Sequence, residues 1–323
     1  MLEKKIAFTD KIVLTGGAGL VGQNLVVRLK EKGYKNLLVI DKHAHNLAIL
    51  STMHPDVSTI TADLAEPGTW IESLQGCACL IMLQARITGK IREAFIHDTI
   101  DSTRVVLGAV HKWQIPYIVH ISSSVVVSAA DDDYTQTKKD QEKMVVESGI
   151  KHCVLRPTLM FGWFDPKHLG WLARFMEKTP VFPIPGDGRF MRQPLYNKDF
   201  CEMIIHCMEQ QPEATVYDIV GDQKIDYIDI IRAIKKVKRL KTLIIKLPMW
   251  FFALLMRIYA LFSKYPPFTV DQLKALTAGD DFKGIDTEKQ FGIKQTPFEQ
   301  AIDETYNDKR YAKVSLQRTG IGK

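Results

Sequence analysis

Apolar positions in the first half of the chain follow two rhythms. Ile12-Val13-Leu14, Leu37–Ile40, Val57–Thr61, Ala78–Leu83, Tyr117–Ile121 and Cys153–Leu155 are short apolar or β-branched runs, and each reads as a strand. Between them the spacing turns helical. Leu20, Val21, Leu25, Val26 and Leu29 follow the first run, a long helix over Ile91–Trp113 follows the fourth, and a helix from Tyr134 to about Ser148 follows the fifth. Ala78–Leu83 is almost wholly apolar, as a parallel-sheet strand covered on both faces requires. Strands alternating with helices to about residue 160 predict an α/β fold, a Rossmann-type doubly wound parallel sheet with a smaller C-terminal lobe.

The turn after the first strand is the informative one. Lys11–Gly22 reads KIVLTGGAGLVG, a strand, a glycine turn and an amphipathic helix in the order a dinucleotide pyrophosphate needs. Glycines there allow a tight turn, a close backbone approach to phosphate and close packing of helix on strand. The helix N-terminus then offers free N–H groups and partial positive charge to the anion. Gly16, Gly19, Leu20, Val21 and Gly22 are the predicted contacts. Asp41 closes the second strand, where a carboxylate accepts from the adenosine ribose hydroxyls and repels a 2′-phosphate. NAD is therefore expected before NADP, although Lys42 and His43 follow directly.

Thr15-Gly16-x-x-Gly19-x-x-Gly22 resembles the short-chain dehydrogenase/reductase superfamily more than the commoner G-x-G-x-x-G. Further motifs resemble its extended branch, the NAD-dependent nucleotide-sugar epimerases, dehydratases and reductases, with some likeness to 3-beta-hydroxysteroid dehydrogenase-type members. The likeness covers roughly residues 10–220 and thins towards the C-terminus. It implies an NAD-binding domain over residues 1–165 with a return element near 190–220, and a substrate-binding lobe over 166–323. It also implies that Asp63-Leu64 contacts the adenine, that Ala85 is a small residue beside the cofactor, and that Pro157 in Arg156-Pro157-x-x-x-Phe161-Gly162 lies against the nicotinamide. Two positions depart from the pattern. Gln84-Ala85-Arg86 replaces the usual His-Leu-Ala-Ala, and Thr99 stands where an asparagine is usual.

Tyr134 and Lys138 are i and i+4 and share a helix face. A free tyrosine titrates near pH ~10, so service as a base at neutrality needs about 4 kcal/mol of preferential phenolate stabilisation. An ammonium one turn away supplies charge of the right sign. Ser122-Ser123-Ser124 ends the preceding strand, and Ser124 is the predicted partner for the substrate oxygen. Because neighbours on a strand face opposite ways, Ser123 stays open as the inward residue. Ser124, Tyr134 and Lys138 are thus the predicted catalytic set, with Lys138 also holding the nicotinamide ribose. Asp131-Asp132-Asp133 just before Tyr134 is expected to cap the helix. Val125-Val126-Val127 follows the serines where related 4,6-dehydratases carry an Asp-Glu pair, which leaves chemistry at a single carbinol. A UDP-sugar 4-epimerase-like reaction is the leading expectation. A ketosugar or hydroxysteroid-type dehydrogenase/reductase is the alternative, and a non-catalytic NAD-binding subunit or redox sensor is the alternative outside enzymes.

Composition refines this modestly. The 323 residues suffice for a Rossmann core and a lobe, and a net charge of +6, spread along the chain, suits an anionic substrate without pointing to nucleic acid. Five cysteines, most of them in apolar runs, read as reduced buried thiols, with no metal site implied by Cys77-x-Cys79. The N-terminal decapeptide has no signal-like apolar core, so a cytoplasmic protein is expected, as a homodimer. In the second half Arg192, or else Arg189, is the predicted contact for the substrate diphosphate, and Asp199 is expected to tie down its own helix. Leu247–Phe262 is apolar nearly all round and interrupted by Arg257, too short to span a bilayer. It is expected to be buried in the lobe or a dimer interface, with peripheral membrane contact beside the upstream lysines as the other reading. Short helices are expected between Pro266 and Tyr306.

Overall fold

In a computed structural model that describes residues 6–128, 131–262 and 282–318, the predicted strands become β1 (Lys11–Thr15), β2 (Leu37–Asp41), β3 (Ser58–Thr61), β4 (Cys77–Met82), β5 (Ile118–Ile121) and β6 (His152–Pro157). Short strands follow: β7 (Met160–Phe161), β8 (Val181–Pro185), β9 (Met191–Arg192), β10 (Leu195–Tyr196), β11 (Thr215–Ile219), β12 (Ile225–Asp226) and β13 (Leu243–Leu247). The helices are α1 (Leu20–Glu31), α2 (Ala44–Met53), α3 (Arg92–Phe95), α4 (Ser102–Trp113), α5 (Asp133–Val146), α6 (Leu169–Lys178), α7 (Asn197–Gln210), α8 (Tyr227–Val237), α9 (Met249–Phe262), α10 (Thr287–Phe291) and α11 (Phe298–Asn307).

Seven strands form one parallel sheet in the order β11-β6-β5-β4-β1-β2-β3. Its register explains the continuous apolar runs. Ile12, Leu14 and Val39 enter a core shared with α1 and α7, while Val13, Leu38 and Ile40 enter a second core against α4. Both faces are therefore covered, as a parallel sheet needs. Strand order reverses between β1 and β4, and the crevice beyond their C-terminal ends is where such sheets bind ligands. β11 arrives from residues beyond the lobe's first helix and pairs with β6, Thr215 opposite Cys153 through Ile219 opposite Pro157.

A third core joins α6, α8 and α11 to β8 in the lobe. Trp163, Phe164, Tyr311 and Leu316 form a clasp against Val27 of α1, fastening the chain's end to the sheet layer. All five cysteines are buried and unpaired.

The helix expected over Ile91–Trp113 is interrupted. Ile96–Asp101 is a π turn between α3 and α4. Its wider turn lets the Thr99 hydroxyl accept the Arg86 N–H at 3.1 Å and sets Asp98 beside Arg86. Asp199, in the first turn of α7, binds not its own helix but Thr296, accepting its N–H at 2.7 Å and its hydroxyl at 2.8 Å. The expected burial of Leu247–Phe262 is not met within the chain, since Trp250 is 70% exposed. The stretch divides between the end of β13 and α9, and no helix among the described residues is long and apolar enough to cross a membrane. Of the short helices expected near the C-terminus, α10 and α11 are present, and residues 263–281 lie outside the described part.

Candidate active site

Where β1 turns into α1, glycine is a steric requirement. Gly16 has φ +70°, and a Cβ there would fall 2.5 Å from the Gln84 backbone. At Gly22 a Cβ would reach 2.1 Å from the Gly17 carbonyl oxygen, so α1 packs closer to the loop than any side chain permits. Gly19 is the N-cap, no side chain bonds the first-turn amides, and no acidic residue lies in that turn. Gly16, Gly19, Leu20 and Val21 are partly exposed along this side. The cradle fits a pyrophosphate, with bare N–H groups at a helix N-terminus and no acidic residue in the helix's first turn. Asp41, buried at the tip of β2, accepts N–H groups from Ala18 and His43, each at 2.9 Å, and so ties the loop to the neighbouring strand.

Beyond Asp41 lies a cluster of charges. Lys42 pairs with Asp98 and lies 3.7 Å from Asp63, and Arg86 pairs with Asp98 at 3.0 Å. Burial opposes the Asp98 charge, but hydrogen bonds from Lys42, His97 and Arg86 outweigh it and hold the carboxyl below its usual range. The bond to Asp98 raises His97 in return. Asp63, His97 and Asp98 bring three ligand atoms within 4.8 Å of one another, yet Lys42 and Arg86 already stand at the carboxylates as cations. Asp63 is partly exposed and also accepts the Ala65 N–H at 3.0 Å, while Leu64 beside it is buried.

At the opposite end of the crevice Lys138 and Gln141 are buried and Tyr134 is partly exposed. Tyr134 lies on the first turn of α5, whose N-cap Asp132 accepts the Thr135 N–H at 2.8 Å, as the aspartate run predicts. Burial raises the Tyr134 hydroxyl; a hydrogen bond with the Ser123 side chain works the other way, and Asp132 adds to the rise. Of the two serines left open by the sequence, Ser123 also accepts the Val125 N–H at 3.4 Å. Ser124 starts a 3-10 turn over Ser124–Val127 and opens onto a cavity of about 240 Å³.

Lys138 is 2% exposed, and burial lowers its ammonium to about 7, with Glu142 pulling weakly upward. Its Nζ donates to the Ile121 carbonyl at 2.9 Å and to Gln141 Oε1. Gln141 Nε2 in turn donates to the Gln84 carbonyl at 3.0 Å and the Thr103 hydroxyl at 2.9 Å. Gln84 Oε1 accepts the Thr15 hydroxyl at 2.7 Å, and its buried Nε2 has no partner among the described residues. The network runs from α5 to the C-terminal tip of β1, beneath Gly16. A buried donor left over there suits a polar ligand lying across the strand ends. Ala85 follows Gln84 at this level, and Pro157 is buried at the tip of β6. Gln84 and Gln141 were not singled out from the sequence, because no local pattern marks a glutamine that pairs across 57 residues.

The cavity beside Ser124 is lined by Arg156, Asp218, Val220, Phe282 and Lys283. Arg156 grips Glu142 with two nitrogens and reaches Asp218 at 3.4 Å, and the Ser122 hydroxyl donates to the same glutamate at 2.6 Å. Neither Arg192 nor Arg189 is among the described lining residues. Arg192 sits on β9, paired with β12 and close enough to Tyr227 to act on its hydroxyl.

A sequence profile of the NAD dependent epimerase/dehydratase family matches residues 12–220. A 3-beta-hydroxysteroid dehydrogenase of Mycolicibacterium neoaurum is 26% identical over 183 residues, 48% of this chain and 49% of that protein. A bifunctional dihydroflavonol 4-reductase/flavanone 4-reductase of Pyrus communis is 25% identical over 164 residues, 48% of this chain and 45% of the relative. The chain thus spans about half the length of these relatives. Among solved structures, UDP-glucose 4-epimerase from Thermotoga maritima with UDP-glucose superposes with a TM-score of 0.72 at 17% identity, covering 91% of this chain and 97% of that one. WbmF from Bordetella bronchiseptica with NAD+ gives 0.73 at 17% identity, covering 92% and 91%.

Proposed function

The chain belongs to the NAD dependent epimerase/dehydratase family, and from that premise we propose that it oxidises and re-reduces a single carbinol of a nucleotide sugar, as a UDP-sugar 4-epimerase does. The observation that carries the reading is Tyr134 and Lys138 on one face of α5, beside the serines that follow β5. NAD, when bound, supplies the hydride acceptor and donor. Gly16, Gly19, Leu20, Val21 and Gly22 would hold its pyrophosphate, Asp41 its adenosine ribose, Asp63 and Leu64 the adenine, and Ala85 and Pro157 the nicotinamide side.

The residues of the chain handle the proton. As the phenolate, Tyr134 takes the proton from the substrate hydroxyl and becomes the phenol, with Ser123 assigned to steady its oxygen, and it returns that proton when the carbonyl is reduced again. Ser124, facing the cavity, steadies the substrate oxygen. Lys138, held by the Ile121 carbonyl and Gln141, is assigned the nicotinamide ribose and the charge that favours the phenolate. Arg192 is the candidate for the substrate diphosphate, and Lys283 at the cavity is a second cation within that region. Dehydration lacks its acid–base pair, since Val125, Val126 and Val127 follow the serines. A homodimer is part of the same reading.

A hydroxysteroid-type dehydrogenase is the second reading, favoured by the identity to the mycobacterial steroid enzyme. A purely NAD-binding role fits less well, because both Tyr134 and Lys138 are retained. Incubation with UDP-sugars, or with a 3-beta-hydroxysteroid, and stoichiometric NAD separates the three. Epimerisation gives a new sugar with no net change in the reduced-nicotinamide absorbance. A dehydrogenase accumulates that absorbance, and absence of any product with either substrate class overturns both enzyme readings.

A further inference from the structure

The lobe carries a surface that the crevice chemistry does not use. On α9, Trp250, Leu254 and Ile258 recur at i, i+4 and i+8, and Leu255 widens the same face. They are 70%, 44%, 44% and 41% exposed, respectively. The strand before it in the chain is also exposed, with Leu243 57% and Ile245 37% open on β13. Its position is fixed: β13 pairs with β8, and Met249 at the start of α9 lies against Gly186 just after β8. Scattered exposed leucines need no explanation, but a contiguous apolar face led by a solvent-facing tryptophan does.

Charge identifies what covers it. The whole chain is nearly balanced, with 43 basic and 37 acidic residues, yet from Ile230 to Phe262 there are eight lysines and arginines and no aspartate or glutamate. Ion pairs to residues outside this stretch occupy Arg232, Lys236 and Lys238. Arg239, Lys241 and Lys246 are exposed and have no acidic partner among the described residues. A protein partner buried on an apolar face has no need of a one-signed flank; an anionic lipid surface does. Tryptophan belongs at the boundary between headgroups and acyl chains, and basic side chains beside it meet the phosphates.

We propose that α9 and β13 form a peripheral docking surface for an anionic bilayer, α9 lying in the interface with Trp250, Leu254 and Ile258 inward and Arg239, Lys241 and Lys246 on the headgroups. The surface is independent of the substrate assigned above, so either reading can fail alone.

Co-flotation of the full chain with vesicles tests it. Expected is capture by vesicles of phosphatidylcholine with one-third phosphatidylglycerol, weakened by salt, and little capture by phosphatidylcholine alone. Lys241→Gln with Lys246→Gln should weaken the anionic-vesicle affinity about 25-fold, at roughly fivefold per lysine. Leu254→Asp should abolish flotation while NAD binding, followed as a check on folding, stays unchanged. Trp emission should shift to the blue on vesicles in the wild type and lose most of that shift in Trp250→Ala. No capture by the anionic vesicles overturns the proposal, as does capture that Leu254→Asp leaves intact. A Leu254-dependent dimer without vesicle binding, or Trp250 shielded from acrylamide by residues 263–281, overturns it equally.

Discussion

The two ends of the crevice handle charge in opposite ways. At the end proposed for the adenosine, Lys42, Asp63, Arg86 and Asp98 stand partly open to solvent as a paired set of opposite charges. At the proposed catalytic end, Lys138, Gln141 and Gln84 are buried beside a partly exposed Tyr134, and the environment acts mainly through what it takes away, namely water. Desolvation pushes the phenol up and the ammonium down, so the free protein keeps both neutral forms within reach of physiological pH. The lesson concerns transferability. A paired cluster is retuned by one charge, whereas a dry network changes only when a member is removed.

The strongest way to break the contrast is Tyr134→Phe. It should retain NAD affinity and lose at least about 10³-fold in turnover, read by initial rates beside a cofactor-binding titration; turnover near wild type would falsify the proton-transfer role. Lys138 offers a sharper, intermediate test. Its ammonium sits near 7 in the fold and near ~10.4 when unfolded. Across that window the unfolded chain binds more protons, so this group makes stability rise with pH by about 1.4 kcal/mol per unit and leaves a constant penalty below it. Denaturant melts of wild type and Lys138→Met from pH 6 to 10 should differ by that slope, the variant being the more stable at the acid end. Parallel curves would show that Lys138 is charged and compensated in the free protein. The smallest effect belongs to the open end. Asp98→Asn frees Lys42 and Arg86, and should shift the NADP+ to NAD+ affinity ratio about tenfold towards NADP+. Added salt should erode that shift, while leaving the Tyr134→Phe loss unchanged.

Much of this architecture was written in local pattern. Ile12-Val13-Leu14 followed by glycine dictates the first strand and its turn, because spacing and the absence of Cβ act within a few residues. Asp132 as a helix cap and the five buried thiols were equally local inferences. What escaped depends on distant partners. The π turn at Ile96–Asp101 has no signature in its own residues, and its benefit appears only when Arg86 faces Thr99. Asp199 reads as a helix-cap residue until Thr296 is brought beside it. The 3-10 turn that follows the serines, with Ser123 at its N-cap, likewise has no signature in the serine triplet itself. The face of α9 could not be read from its own residues, because a nearly all-apolar helix suits a lobe core, a subunit interface or a membrane surface alike.

The arrival of β11 from beyond the first lobe helix has a consequence for biosynthesis. Until Thr215–Ile219 leaves the ribosome, the nascent sheet ends at β6 with a row of unsatisfied main-chain groups, an edge open to pairing with another nascent chain. Release from translation short of that strand would thus yield an aggregating fragment rather than a minimal nucleotide binder. Chaperone demand should peak while the lobe's first helix is being made.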